Sequence, residues 1–142
     1  MSTQPFYSGF TVVQIIIAIA VLVMIFVLPV PWDWQRYLGT ALLLPGMAGL
    51  VTARYQLGKS FSITAQARHL VTRGVYSKIR NPIYVFGTVA VAGMILVLHR
   101  PMWWLVLAVL CVIQIVRAHR EAQVLEAAFG EAYREYRRKT WF

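Results

Sequence analysis

The chain has 142 residues, of which 59% are hydrophobic and 13% charged, and its mean hydropathy is +0.62. That balance excludes an ordinary water-soluble domain, which at this size cannot hide so much apolar surface, and the length leaves room for one domain of about four spanning helices of roughly 20 residues each. The formal net charge of +9, from 14 basic against 5 acidic residues, points to membrane topology rather than to nucleic acid once the charges are placed along the hydropathy profile.

In chain order the first apolar segment is Phe10 to Val30. No basic n-region precedes it and no small-residue cleavage pattern follows, so this helix is expected to stay in the protein. Pro29, Pro31 and Asp33 mark a tight connection to a second segment, Leu38 to Ala53, with Trp34 and Tyr37 as interface anchors. Pro45, Gly46 and Gly49 are expected to loosen that second helix. The third and fourth segments, Ile83 to Leu98 and Met102 to Val116, are separated only by His99, Arg100 and Pro101 and should form an antiparallel hairpin. The last three segments are only 15 or 16 residues long, or about 24 Å as helix, so they must extend into their flanks to match a hydrocarbon core of about 30 Å.

Twelve of the 14 basic residues fall in the stretch Arg54 to Arg80 or after Val116. The positive-inside rule puts that loop, the tail and the N-terminus in the cytoplasm, and the small size with no signal peptide points to a plasma membrane, with the endoplasmic reticulum as the alternative. The expected fold is an all-α integral membrane protein forming one domain, 1–142, with spans at about 10–30, 36–56, 82–98 and 102–118. A cytoplasmic loop covers 57–81 and a tail 119–142. Leu125, Phe129, Ala132 and Tyr136 recur at helical spacing and predict an amphipathic tail helix, with Gly130 as a kink or break. Its aromatic stripe is that of a membrane-surface helix. Cys111 stands alone in an apolar run and excludes an internal disulfide.

Polar residues gather at one end of the last helices, in Gly74 to Tyr84 and Arg117 to Glu121, and the hairpin should bring the two stretches together. Asn81 before Pro82 is a helix start: asparagine can cap free amides, and proline at the first helical position loses no hydrogen bond. Such an N-terminus, with Arg80 beside it, suits a ligand carboxylate. Arg80, Tyr84 and Gly87 share one helix face, and Gly87 leaves room for a neighbouring helix or a ligand. Glu121 beside an apolar pocket suits ribose hydroxyls, an ammonium or a sulfonium, and Tyr76 and Tyr84 add cation–π attraction. The same residues also fit a plainer reading, in which Arg80, Asn81 and Pro82 are topology charge and cap and Glu121 pairs with Arg117 on a helix surface. His69 and His119 read as interfacial residues, since nothing at metal-ligand spacing accompanies them.

The words Leu70-Val71-Thr72-x-Gly74-x-Tyr76-x-x-x-Arg80-Asn81-Pro82-x-Tyr84-x-x-Gly87 and Glu121-x-x-x-Leu125-x-x-x-Phe129-Gly130-x-x-Tyr133-x-x-Tyr136 together resemble the isoprenylcysteine carboxyl methyltransferase and phospholipid methyltransferase superfamily. The match runs from about Arg54 to Tyr136. The resemblance implies an S-adenosylmethionine site at the cytoplasmic ends of the last helices, formed by His69, Gly74, Tyr76, Arg80, Asn81, Pro82, Tyr84 and Glu121, with Arg80 and Glu121 as the catalytic pair and no metal. It implies methyl transfer to a lipophilic acceptor, such as a prenylcysteine-like carboxylate, a phospholipid amine or a small thiol, with the lipid bilayer as the other partner. Two positions depart from the pattern: Asn81 stands where many relatives have histidine, and Ala122 where they carry a second glutamate. The alternative is a non-catalytic membrane subunit using the same fold to bind a partner.

Overall fold

A computed structural model of the chain describes residues 5–57 and 70–142. Five α-helices follow in order: α1 (Pro5–Val27), α2 (Trp34–Leu57), α3 (Pro82–Leu98), α4 (Trp103–Phe129) and α5 (Glu131–Lys139), with a short 3-10 turn at Gly74–Ser77 before α3. Among the described residues the fold is all-α, and its one β feature is an isolated parallel bridge between Ile79 and Trp141. No helix is long and apolar enough, among the described residues, to cross a membrane.

The packing runs chiefly between α2 and α3, which lie antiparallel along their length. Small residues make this possible. A Cβ on Gly39 would sit 2.7 Å from the Gly93 carbonyl oxygen, and one on Gly46 would sit 2.7 Å from the Ala90 nitrogen. Backbone thus lies on backbone, the contact that small-residue stripes allow when no bulky side chain intervenes. Around it Val21 and Ile25 of α1 close on Leu43, Ala90 and Val97 to form the core. Gly46 and Gly49 therefore serve as contact points for α3, against Ala90 and the Phe86 ring, and α2 runs on through Pro45 without ending.

One end of the bundle is closed by three polar side chains. Asp33 caps α2 by accepting the Arg36 N–H at 3.0 Å. Arg36 is 1% exposed, and its guanidinium donates to the carbonyls of Ile25, Leu28 and Val30 as α1 ends, while lying 4.1 Å from the centre of the Trp32 ring. The Leu28 carbonyl also accepts the Val30 N–H at 2.8 Å, and a cation at a helix C-terminus is favourable. His99, in the left-handed conformation that ends α3, meets the other Asp33 oxygen at 2.9 Å and so ties the two connections of this end together.

The Asp33–His99 pair makes stability pH-dependent. Its hydrogen bond lowers the Asp33 pKa below the ordinary 3.8 and raises that of His99 above the ordinary 6.5. A raised imidazole contributes fully below 6.5 and is lost as pH rises through its folded value; a lowered carboxylate contributes fully above 3.8 and is lost as pH falls through its folded value. The pair is thus strongest between those two ordinary values. Thermal melting of the wild type and His99→Gln at pH 5 and pH 8.5 is expected to differ more at pH 5; an equal difference at both would show that the pair does not couple to pH.

Beyond the expected fourth span, α4 continues without a break to Phe129, so the first part of the tail belongs to that helix. The break falls at Gly130, whose φ of 53° favours glycine. The inward stripe of α4 is Leu107, Cys111, Gln114, Ala118, Glu121 and Leu125, none of them exposed, while Leu105, Val109, Val112 and Val116 are turned outward.

Candidate functional site

The polar end of the bundle is built by three segments far apart in sequence. Gln56, at the end of α2, accepts the Val75 N–H at 2.8 Å, and Gly74 has a φ of 61° with the Gln56 amide lying where its Cβ would be. Gly74 therefore positions the turn. That turn buries Tyr76, which is 6% exposed. From the other side, the Tyr136 hydroxyl of α5 donates to the Tyr76 carbonyl at 2.8 Å, and Tyr133 is buried beside it with ring centres 6.2 Å apart. The chain beyond α5 then runs along the turn: Trp141 N–H donates to Lys78 O at 2.7 Å, Arg80 N–H to Trp141 O at 2.9 Å, and Asn81 N–H to Phe142 O at 2.8 Å.

The tail tyrosines thus point into the protein, where the aromatic stripe alone suggested a membrane-surface helix. Burial pushes the Tyr136 hydroxyl up to about 12, so it stays a donor through the neutral range. Tyr136→Phe is expected to cost about 1 kcal/mol, the worth of one neutral hydrogen bond, and to speed amide exchange in the segment after Gly130 without melting the helix bundle. Unchanged exchange there would show that packing alone holds the tail.

At the start of α3, Pro82 is fully buried and occupies the first turn, as its missing N–H allows. Asn81 makes no side-chain cap; its backbone carbonyl takes the N–H groups of Tyr84 and Val85 at 3.1 and 3.2 Å. The helix starts where the Asn-Pro pair places it, but without the asparagine side chain. The expected bed of free amides is correspondingly narrow.

Glu121 lies on the inward stripe of α4, two-thirds or more buried, and accepts the Tyr84 hydroxyl on Oε1 at 2.6 Å. Arg117 Nη2 is 3.6 Å from the same oxygen, and its guanidinium is 5.9 Å from the centre of the Tyr84 ring. Glu121 is therefore more than half of an i, i+4 surface pair: it joins α4 to α3 across 37 residues of sequence. Arg80 is half-buried near Tyr133 and Tyr136 and forms no ion pair with any described residue. The Tyr76 hydroxyl is enclosed and has no hydrogen-bond partner among the described residues, although Glu121, Arg54 and Tyr84 act on it electrostatically. An enclosed donor of this kind costs about 1–3 kcal/mol unless something outside the chain satisfies it.

A family model for phospholipid methyltransferases matches residues 34–132, which is more than half of the chain. The chain belongs to the phospholipid methyltransferase family. No curated protein matches it. The segment matched to the phospholipid methyltransferases holds Gly74, Tyr76, Arg80, Asn81, Pro82, Tyr84 and Glu121, together with Arg117, paired with Glu121 as its spacing suggested, and Gln56, whose part in building this end the sequence did not disclose. Tyr133 and Tyr136 lie just beyond it. His69 falls outside the described residues. Family membership assigns the chain to the methyltransferases in general.

Proposed function

We propose that this protein transfers a methyl group from S-adenosylmethionine to a lipophilic acceptor, at the cytoplasmic end of a helical bundle seated in the plasma membrane. The observation that carries the reading is a carboxylate, Glu121, held by Tyr84 at the same end of the bundle as an enclosed Tyr76 hydroxyl and an arginine, Arg80, which have, among the described residues, no hydrogen-bond partner and no ion pair respectively. A cofactor with a carboxylate, an ammonium, ribose hydroxyls and a sulfonium offers a counterpart to each. Arg80 would hold the carboxylate, Glu121 and Tyr76 the hydroxyls or the ammonium, and the tyrosine faces would favour the positive sulfur.

When bound, S-adenosylmethionine supplies a methyl group already activated by its sulfonium. What remains for the chain is positioning and the exclusion of water. The α3–α4 link through Tyr84 and Glu121 fixes the two helix ends relative to each other, and the tail packed over the 3-10 turn shields Tyr76 from solvent. An acceptor amine must shed a proton before it attacks, and in this reading Glu121 would take it.

The membrane seat is supported by the surface. Ile15, Ile16, Ile17 and Ile19 on α1 and Leu105, Val109, Val112 and Ile113 on α4 are all exposed, and large exposed apolar surfaces mark membrane or partner contacts. The basic residues at the site's end favour the cytoplasmic side. Both termini lie on that side in this reading, with the acceptor entering laterally from the bilayer.

Calorimetric titration of the detergent-purified protein with S-adenosylhomocysteine tests the reading. Saturable one-to-one binding is expected. Folded protein that binds none would overturn the assignment and favour the non-catalytic subunit, for which Ala122 in place of a second glutamate is the sequence argument.

A further inference from the structure

Arg80 stands in a four-residue link, Lys78 to Asn81, between the 3-10 turn that ends at Ser77 and α3, which starts at Pro82. The first half of this link is held from within, since the Lys78 and Ile79 N–H groups both donate to the Val75 carbonyl, at 3.3 and 3.0 Å. The second half is held from outside. The Arg80 and Asn81 N–H groups find their acceptors in the tail, on Trp141 O at 2.9 Å and Phe142 O at 2.8 Å, and the Trp141 N–H returns to Lys78 O at 2.7 Å. Thr140 to Phe142 thus form a strap that pairs through its backbone with the one segment carrying Arg80. Its most exposed part, the Trp141 side chain, is 66% open to solvent. The docking of α5 has its own anchors, the buried Tyr133 and the Tyr136 hydroxyl on the Tyr76 carbonyl. What the strap adds therefore falls on the link.

We infer that the Thr140–Phe142 strap is a positioning element for Arg80, fixing the backbone on both sides of that residue before a ligand arrives. The inference rests on the methyl-transfer reading for the ligand that Arg80 meets. Arginine carries a long, rotamer-rich side chain, and every degree of freedom still loose at its base must be frozen on binding. A strap that has already frozen the base removes that cost from the binding step, so its loss weakens the ligand through Arg80 and through no other residue.

The test is calorimetric titration of the full-length protein in detergent with S-adenosylhomocysteine. Trp141→Pro deletes the N–H that bonds Lys78, and Thr140, at φ −119° and ψ 148°, already has the extended backbone that a following proline requires. This variant is expected to bind about three- to tenfold more weakly, the effect of one backbone hydrogen bond, with its melting temperature close to that of wild type. Trp141→Ala keeps the N–H and should restore the affinity. Phe142→Pro cannot adopt the φ of 37° and withdraws the acceptor of the Asn81 N–H, so it should weaken binding as well and gives the result should Trp141→Pro not fold. The deciding arm is the double variant: in an Arg80→Ala background Trp141→Pro should change affinity by less than about twofold, because the residue through which it acts is gone. A loss that persists undiminished in that background overturns the inference alone, as does wild-type affinity in both proline variants. Folded wild type that binds no S-adenosylhomocysteine overturns the methyl-transfer reading and this inference with it.

Discussion

Glu121→Ala is expected to weaken S-adenosylhomocysteine binding by about ten- to a hundredfold, the range that follows from losing hydrogen bonds to a charged group worth about 1.5–3 kcal/mol. Arg80→Ala should cause a loss of similar size through the cofactor carboxylate. Tyr84→Phe, which keeps the ring but releases Glu121 from its 2.6 Å hydrogen bond, should cost only a few-fold, because the carboxylate stays and only its orientation is lost. The order Glu121→Ala, then Tyr84→Phe, then wild type is the signature of a ligand-binding carboxylate with a positioning partner. Calorimetry on the three variants checks it, and unchanged affinity in both alanine variants would defeat the proposed site.

None of these changes should unfold the protein. The Arg117 partner of Glu121 is 45% exposed, and an ion pair of that kind contributes little to stability. Replacing Glu121 removes one bridge between α3 and α4 but leaves the α2–α3 contact and the Thr88–Gln114 bond in place. Thermal melting in detergent should therefore shift by only a few degrees while binding collapses, and that separation distinguishes a functional carboxylate from a structural one.

Much of this architecture was legible in the sequence, because apolar runs and prolines act locally. The third helix begins at Pro82 and ends before His99 as the Asn-Pro and His-Arg-Pro pairs indicate, and Gly130 breaks the tail where its conformational freedom suggests. What escaped were contacts that depend on chain segments meeting. The Tyr84–Glu121 bond spans 37 residues and Tyr136–Tyr76 spans 60, and periodicity on one helix cannot reveal which residue stands opposite. Arg36 is buried at the end of α1, where its guanidinium meets the carbonyls of Ile25, Leu28 and Val30, a meeting that no pattern within α2 reveals. Gln114 did carry a signal, as the polar residue within the apolar run Met102 to Val116, but the residue it pairs with, Thr88, lies on another helix. The glycines of α2 were misjudged for a related reason: glycine either loosens a helix or lets another approach, and only the neighbour decides which.

That neighbour makes a graded prediction for glycine-to-alanine changes. In isolation each such change favours a helix by about 1 kcal/mol, since alanine loses less backbone freedom on folding. At Gly87 a new Cβ meets nothing, so Gly87→Ala should stabilise by up to about that amount. Gly49→Ala meets the Phe86 ring from its Cγ outward at 2.4–2.6 Å, so the whole side chain must leave its place and the change should destabilise on balance. At Gly46 the Cβ would lie 2.7 Å from the Ala90 nitrogen and 2.9 Å from its Cα, and at Gly39 it would lie 2.7 Å from the Gly93 carbonyl oxygen. Backbone atoms inside helices cannot swing away, so α2 and α3 must separate along the contact that organises the core. Gly46→Ala and Gly39→Ala are each expected to destabilise by about 2–3 kcal/mol, the upper part of the range for overpacking. Unfolding in detergent, by heat or by denaturant, should rank Gly87→Ala above wild type, Gly49→Ala below it, and the other two lowest. If Gly46→Ala proved as stable as wild type, the close α2–α3 approach would be wrong, and with it the placing of Tyr84 and Thr88 opposite α4, since both are carried on the helix that this contact fixes.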